Sequence, residues 1–238
     1  MLTVGSLFTG IGGIDLGLER TGHFRTIWMA EIDNYASKVL AKHWPDVPNL
    51  GNVKEINYER LERPDVLIGG YPCQPFSIAG QRGGASDPRH LWPECLRALR
   101  VLRPRYAVFE NVRGHLSLGF SEVLGDLAAI GLDAEWQVIP ASAVGAPHRR
   151  DRLFIVAHPK STNGQIPVMV GPRSVPIKFG GNKTRHGASD WATDEPAMGG
   201  MANGISSRVD RFRALGNAVV PQVAEVIGYM IAEHAANA

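Results

Sequence analysis

The feature that most constrains the fold is an alternation of short apolar runs with helical stretches from residue 1 to about 157. The runs are rich in Val, Ile, Leu and aromatic residues, which favour β-strands. They lie at residues 2–8, 26–30, 66–68, 106–109, 135–139 and 153–157. Strands that alternate with helices are typical of βαβ units. The pattern therefore predicts an α/β fold with a mainly parallel sheet.

Length and composition indicate an ordinary globular protein. The chain has 238 residues, of which 44% are hydrophobic and 20% charged, so it can bury one substantial core and a small second lobe. It has no run of eighteen apolar residues, and its start lacks the basic region of a signal peptide. We therefore expect a cytoplasmic monomer without a membrane span. In such a protein Cys73 and Cys95 stay reduced, and the amphipathic pattern around Cys95 predicts a core position.

Residues 158–207 differ from the rest of the chain, because Gly and Pro recur there without a helical period. Between residues 158 and 189 there are five Lys or Arg and no Asp or Glu, which leaves 20 basic against 23 acidic residues elsewhere. A basic, loop-rich segment suits contact with phosphates. We therefore expect a catalytic and cofactor-binding domain at 1–157, a small recognition lobe at 158–207, and a C-terminal segment at 208–238 that returns to the first domain.

Cys73 directly follows a predicted strand and lies between Pro72 and Gln74. Gly69 and Gly70 break the strand, so the thiol emerges at the carboxyl edge of the sheet, where ligands bind in open α/β folds. Most free cysteines are buried apolar residues. The interpretation of Cys73 as a nucleophile therefore depends on the partners that the rest of the chain supplies.

A glycine-rich turn, Phe8-Thr9-Gly10-Ile11-Gly12-Gly13, follows the first strand. Glycines let a backbone turn tightly and approach a ligand, and the next helix start favours electron-rich groups. Glu31 ends the second strand, 21 residues after Gly10, where an acid suits ribose hydroxyls. A structural turn and a solvated carboxylate are the alternatives. Together the two features predict a ribose-bearing cofactor, either a dinucleotide or S-adenosylmethionine.

Two further charged motifs adjoin predicted strands. Glu110 follows the strand at 106–109, where desolvation would raise its pKa and let it donate a proton to a ring nitrogen. The run His148-Arg149-Arg150-Asp151-Arg152 precedes the last strand of the domain. Clustered arginines lower the pKa of a nearby thiol and hold electron-rich oxygens. A surface carboxylate and a solvated charged loop are the alternatives.

In this order the motifs resemble those of the cytosine-C5 DNA methyltransferases. The elements that carry the resemblance are the glycine-rich turn, Pro72-Cys73-Gln74, Glu110-Asn111-Val112, Arg150-x-Arg152 and a late Leu215-Gly216-Asn217-Ala218 element. They span residues 1–157 and about 208–238. The resemblance implies a Rossmann-like, S-adenosylmethionine-dependent methyltransferase fold with a mostly parallel sheet and a small loop-rich target-recognition lobe.

The resemblance also implies roles for individual residues. The Cys73 thiolate would add to C6 of a cytosine flipped out of duplex DNA. Glu110 would protonate or hydrogen-bond N3 of that cytosine, and Arg152 with Arg150 would hold the base oxygen or orient the thiolate. The residues implied at the S-adenosylmethionine site are Phe8, Gly10, Ile11, Gly12, Gly13, Glu31, Asn52 and Asn217. The residues implied in substrate contact are Gln74, Ser77, Gln81 and Arg82, the last two within a loop at 80–87 that closes over the base.

The chain departs from the family pattern at several positions. Asn52 stands where relatives carry an Asp that contacts the adenine amino group, although an amide oxygen also accepts that bond. His148 replaces a common Gln, and the usual arginine-rich motif before Gly216 is reduced to residues 208–211. Candidate base-reading residues in the short recognition lobe are Asn163, Gln165, Asn182 and Arg185.

The implied partner is double-stranded DNA, with a cognate nuclease of a restriction-modification pair as a further candidate and no metal. Three alternatives remain open. An RNA cytosine-C5 methyltransferase would use the same chemistry, although that group tends to replace Pro-Cys-Gln. A catalytically silent DNA-binding relative would fit the short recognition lobe. A nicotinamide oxidoreductase would explain the glycine-rich turn and Glu31 but not the other motifs.

Overall fold

The computed structural model describes residues 1–72, 91–160 and 208–237. Within these ranges the strands are β1 (Leu2–Leu7), β2 (Phe24–Ala30), β3 (Val66–Gly69), β4 (Tyr106–Val112), β5 (Leu132–Ile139) and β6 (Arg152–Pro159). The α-helices are α1 (Gly13–Arg20), α2 (Asn34–His43), α3 (Trp92–Leu102), α4 (Phe120–Ala129), α5 (Arg208–Asn217) and α6 (Pro221–Asn237). Short 3₁₀ helices include Val53–Glu55, Tyr58–Arg60, Arg113–Ser117 and Ala141–Val144.

The strands form one sheet in the order β2-β1-β3-β4-β6-β5. Strand β1 pairs in parallel with β2 and β3, and β3 pairs in parallel with β4. Strand β6 is antiparallel to both β4 and β5, so it alone among the described strands opposes the common direction. The predicted α/β fold with a mostly parallel sheet is confirmed.

Helices cover both faces of the sheet. Helices α1 and α6 share one core cluster with strand residues such as Val66 and Val108. Helices α3 and α4 share the other with strand residues such as Leu67 and Phe109, and Cys95 is buried in it as predicted. Helix α6 approaches α1 closely at Gly17, where an added Cβ would lie 2.6 Å from the Cβ of Ala224.

All six predicted strands are present, several of them are longer than predicted, and the difference that bears on the site is the length of β4. The apolar run predicts that this strand ends at residue 109, whereas it continues to Val112. Its extension pairs with β6, in which Phe154 lies opposite Glu110 and Arg152 lies opposite Val112. Glu110 is therefore part of the strand and not of the loop that follows it. Residues 161–207 lie outside the described residues, so the division into domains stays a prediction.

Among the described residues one stretch, Val209–Asn237, is long and apolar enough to cross a membrane by length and composition. It comprises α5 and α6, and α6 buries Val223, Ile227 and Ile231 in the core. The core helix of a protein outside membranes passes the same test, so the stretch is only a weak indication of a span.

Candidate active site

A cavity of about 650 Å³ lies at the carboxyl ends of β1, β2, β3 and β4. In open α/β sheets this edge is where ligands bind. The predicted site residues that line the cavity are Phe8, Gly10, Ile11, Gly13, Glu31, Asn52, Glu110, Arg152 and Asn217. Within the described part of the chain, Gly12 and Arg150 are the predicted site residues outside this lining. Cys73, Gln74, Ser77, Gln81 and Arg82 lie outside the described residues.

The glycine-rich turn forms one wall of the cavity. Phe8 directly follows β1 and has a φ of 51°, a conformation that is rare for a bulky residue and is concentrated at functional sites. Gly10 has a φ of 59°, and an added Cβ there would meet no heavy atom within 4 Å. Gly12 serves packing instead, because an added Cβ would lie 2.6 Å from the ring of Trp44. The turn therefore leaves open space beside Gly10 for a ligand.

Glu31 is held beside the glycine-rich turn by backbone donors. Its Oε2 accepts a hydrogen bond of 2.7 Å from the Gly10 N–H, and its Oε1 accepts one of 2.7 Å from the Asp33 N–H. Asn49 fixes the backbone of Glu31 through bonds of 2.9 and 3.1 Å. Each carboxylate oxygen keeps acceptor capacity for a ribose hydroxyl. The geometry thus fits the ribose-bearing cofactor that the sequence predicts.

Ile32, which the sequence reasoning missed, also lines the cavity, and 70% of its surface is exposed. An exposed apolar side chain beside the acid predicted to bind ribose offers a flat heteroaromatic ring a surface to pack on. The only signal in the sequence is an isoleucine directly after a strand-end acid, which is too common to identify such a surface.

Two asparagines complete the predicted cofactor set. Asn52 caps the 3₁₀ helix Val53–Glu55, where its Oδ1 accepts a bond of 3.1 Å from the Lys54 N–H and its Nδ2 donates to Glu55 over 2.8 Å. Its amide oxygen keeps a second lone pair for the predicted adenine contact. Asn217 is the last residue of α5 and is exposed at the rim of the cavity.

Glu110 and Arg152 meet at the end of the sheet. They lie diagonally on the same face, because Glu110 is opposite Phe154 and side chains two residues apart along a strand share a face. The Arg152 Nε lies 2.9 Å from Glu110 Oε1. Burial raises the pKa of Glu110 to about 7, although the charges of Arg152 and Arg150 act to lower it. The carboxyl group can therefore both hold and release a proton near neutral pH.

A hydrogen-bond network holds the chain where β3 ends. Asn111 Nδ2 donates to the Tyr71 carbonyl over 3.3 Å. The Tyr71 hydroxyl lies 2.7 Å from His115 Nε2, and His115 Nδ1 lies 2.8 Å from the Leu118 carbonyl. A carbonyl only accepts, so Nδ1 carries the proton and Nε2 accepts from the hydroxyl. Tyr71 and His115, to which the sequence reasoning gave no role, thus fix the backbone just before Pro72.

Arg150 does not reach the cavity. Its Nη2 donates to the carbonyl oxygens of Gly216 over 2.5 Å and Ala218 over 2.6 Å. The guanidinium thus lies at the C-terminal end of α5, where helix carbonyls lack partners within the helix. The expected role of Arg150 beside Arg152 on the base stays a prediction, and its guanidinium hydrogen-bonds to this helix end. Among the described residues, no group of three or more His, Cys, Asp or Glu is arranged to hold a metal ion.

The chain is similar to known proteins of one family. The profile of the family "C-5 cytosine-specific DNA methylase" matches residues 2–188. Type II methyltransferase M.HgiCII of Herpetosiphon aurantiacus is 37% identical over 158 residues, which cover 63% of this chain and 36% of that protein. Type II methyltransferase M.Bsp6I of Bacillus sp. is 35% identical over 179 residues, which cover 70% of this chain and 57% of that protein. The match therefore spans only about a third to just over half of the relatives' length.

A solved structure shows the same fold. The Entamoeba histolytica methyltransferase EhMeth superposes with a TM-score of 0.59 at 22% sequence identity, covering 69% of this chain and 55% of that chain. At this identity the likeness concerns the fold alone.

Proposed function

The chain belongs to the C-5 cytosine-specific DNA methylase family, and we propose that it transfers a methyl group from S-adenosylmethionine to C5 of cytosine in double-stranded DNA. The observation that carries this proposal is the largely shielded ion pair between Glu110 in β4 and Arg152 in β6. The pair adjoins the end of β3, since a Cβ added to Gly70 would lie 3.2 Å from Glu110 Oε2. Cys73 follows Gly70 by three residues. In the proposed mechanism Cys73 is the nucleophile, Glu110 the proton donor and Arg152 the cation.

S-adenosylmethionine is the methyl donor that this family implies, and the cavity has suitable groups for it. Glu31 accepts bonds from ribose hydroxyls, Ile32 packs against the adenine ring, and Asn52 accepts a bond from the adenine amino group. Gly10 leaves room for the ligand beside the backbone. Phe8, Ile11, Gly13 and Asn217 complete the enclosure. When bound, the cofactor supplies a methyl group activated by a positively charged sulfur.

The reaction begins at Cys73. Its thiolate forms a bond to C6, and the electron pair of the C5–C6 double bond moves between C5 and C4, while the C4–N3 pair moves onto N3. Glu110 donates its proton to N3 and so neutralises that charge. Arg152 stabilises the Glu110 carboxylate that results and lies beside the base oxygen. Carbon C5 is thereby made nucleophilic.

Completion of the reaction restores the ring. Carbon C5 uses its electron pair to bond the methyl carbon, whose bond to the sulfonium sulfur breaks with its pair on sulfur. The N3 proton returns to Glu110 as the C4–N3 double bond re-forms. A solvent base takes the C5 proton, the C5–C6 double bond re-forms, and the Cys73–C6 bond breaks with its pair on sulfur. Cys73 is then a thiolate again.

The DNA contacts are proposed from sequence. Gln74, Ser77, Gln81 and Arg82 would contact the flipped base and its surroundings, and the lobe at 158–207 would contact DNA phosphates and base edges. We further propose a cytoplasmic protein that acts as a monomer, with a restriction nuclease as its candidate counterpart.

One assay tests the proposal directly. The protein is incubated with S-adenosylmethionine labelled in its methyl group and with duplex DNA or transfer RNA, beside Cys73→Ala and Cys95→Ala variants. Cys95 is the matched control, because it is buried in the core around α3. We expect labelled DNA with the wild type and with Cys95→Ala, and none with Cys73→Ala.

Each other outcome has a distinct meaning. Label in transfer RNA but not in DNA would contradict the DNA proposal and favour an RNA cytosine-C5 methyltransferase. Label in neither polymer, with S-adenosylmethionine bound, would favour the catalytically silent DNA-binding relative. Label that persists in Cys73→Ala would contradict the covalent mechanism. Bisulfite mapping of a methylated plasmid would then identify the target sequence.

A further inference from the structure

We infer that Arg150 is a positioning residue that holds residues 217–219 in place as a wall of the cofactor cavity, and thereby links the cofactor cavity to the base site. The inference rests on the proposed use of S-adenosylmethionine. It differs from a role for Arg150 on the base itself.

The first observation is the set of bonds that the Arg150 guanidinium makes. Its Nη2 lies within hydrogen-bond distance of three carbonyl oxygens, at 2.5 Å from Gly216, 2.6 Å from Ala218 and 3.5 Å from Leu215. These carbonyls lie at the C-terminal end of helix α5 or just beyond it, where a positive charge is favourable because the helix dipole leaves partial negative charge there. Arg150 itself has a φ of 40°, which is uncommon for a residue with a side chain.

The second observation concerns the segment that Arg150 holds. Asn217, Ala218 and Val219 all line the cavity. On its other side the segment touches the first turn of α1, where a Cβ added to Gly13 would lie only 2.6 Å from the Val219 carbonyl oxygen. The segment is therefore held between the glycine-rich turn and Arg150. A shift of the guanidinium would move the cavity wall.

The third observation is the proximity of Arg150 to the base site. Arg152, two residues further along, pairs with Glu110 over 2.9 Å. The same short loop therefore places one arginine on the proposed proton donor and another on the wall of the cofactor cavity. If either ligand displaced this loop, the position of the arginine at the other site would change as well.

The neighbouring Arg149 offers a matched control. It is exposed and pairs with Asp151 over 3.1 Å, so it shares the loop and the charge but not the contact with α5. Lysine is an informative replacement at position 150, because its single ammonium keeps the charge without the planar fork of donors.

The test is calorimetric titration of S-adenosylmethionine into the wild type and into Arg150→Ala, Arg150→Lys and Arg149→Ala. We expect at least tenfold weaker binding for Arg150→Ala, an intermediate loss for Arg150→Lys, and binding within twofold of the wild type for Arg149→Ala. Hydrogen exchange should accelerate in peptides that cover residues 213–220 of the Arg150 variants and stay unchanged in β4. In turnover assays the loss should fall on KM for the cofactor more than on kcat.

The contrary results are separable. Binding by both Arg150 variants within twofold of the wild type, with unchanged exchange at 213–220, would overturn the inference. If Arg150→Ala does not fold, Arg150→Lys decides between the two outcomes. A wild-type chain that binds no S-adenosylmethionine would instead overturn the proposed function, and the inference with it.

Discussion

The Arg152 guanidinium lies 2.9 Å from the Glu110 carboxylate at a place where both side chains are largely shielded from water. The ion pair favours the charged carboxylate, whereas burial favours the protonated one, and burial has the larger effect. The pKa of Glu110 near 7 is the balance of these two influences. A carboxyl group so balanced can donate a proton to a base nitrogen and recover it in the same cycle.

The pH dependence of methyl transfer should report this balance. Because the proton donor is the neutral form of Glu110, kcat should fall as pH rises through about 7. Glu110→Gln should lower kcat by roughly 100-fold or more and abolish that descending limb. The exposed Glu233→Gln is the control and should keep the wild-type profile. A Glu110→Gln enzyme whose kcat falls over the same pH range would refute the assignment.

An added methyl group should have opposite effects on the free energy of unfolding at two glycines, Gly13 and Gly125. Gly13→Ala should lower the free energy of unfolding by about 1–3 kcal/mol, because its Cβ would overlap the Val219 carbonyl, 2.6 Å away. Gly125→Ala should raise it by roughly 0.5–1 kcal/mol, because Gly125 lies inside α4 with open space beside it. Urea denaturation measures both. Equal stabilities for the two variants would contradict the close approach at Gly13.

The sequence predicted the strands well because each is a short apolar run that reaches the core. The end of β4 could not be predicted in the same way, because its last three residues belong to the strand only through pairing with β6. Helix α5, unlike the strands, is not marked by an apolar pattern in the sequence. It is mostly polar, its Val209 and Leu215 are exposed, and it contacts the rest of the chain through pairs such as Arg213 with Asp33 at 2.8 Å. Such a helix is specified by tertiary contacts, which a local pattern does not contain.

The candidate site was predictable in its parts but not in its contacts. Motif order identified Glu31, Glu110 and Arg152, since each adjoins a strand at one sheet edge. Spacing alone did not separate Arg150 from Arg152, because the turn at Arg150, with its φ of 40°, sends the two side chains to different partners. The bond between Tyr71 and His115 joins residues that are 44 positions apart, and no local pattern marks it.

A buried acid beside the cavity predicts a second pH effect, this time on stability. Asp15 is buried in α1 and accepts bonds from Ser6 Oγ over 3.2 Å and Thr26 Oγ1 over 3.5 Å. Burial raises its pKa from 3.8 to about 7. The folded state therefore holds the proton more tightly than the unfolded chain, so the stabilisation that this proton gives is lost as pH rises from about 4 to about 7.

Asp15→Asn should remove that loss, because the amide stays neutral at every pH. Relative to the wild type, the variant should gain on the order of 1–3 kcal/mol of unfolding free energy between about pH 5 and pH 8. Urea denaturation at the two pH values measures the gain. The exposed Asp133→Asn should show no such gain. A difference between Asp15→Asn and wild type that stays constant with pH would show that Asp15 is ionised in the folded protein.

The hydroxyl of Tyr71 is expected to stabilise the backbone that leads to Cys73. Tyr71→Phe removes the donor that His115 Nε2 accepts from at 2.7 Å, and should lower the free energy of unfolding by about 1 kcal/mol. Tyr58→Phe is the matched control and should have a smaller effect, because the Tyr58 hydroxyl is 3.4 Å from its acceptor. In a double-mutant cycle with His115→Leu, the two losses should be coupled by roughly 0.5 kcal/mol or more. Additive losses would show that the pair contributes no energy of its own. If the bond also orients the chain before Pro72, Tyr71→Phe should slow methyl transfer while S-adenosylmethionine binds as tightly as before.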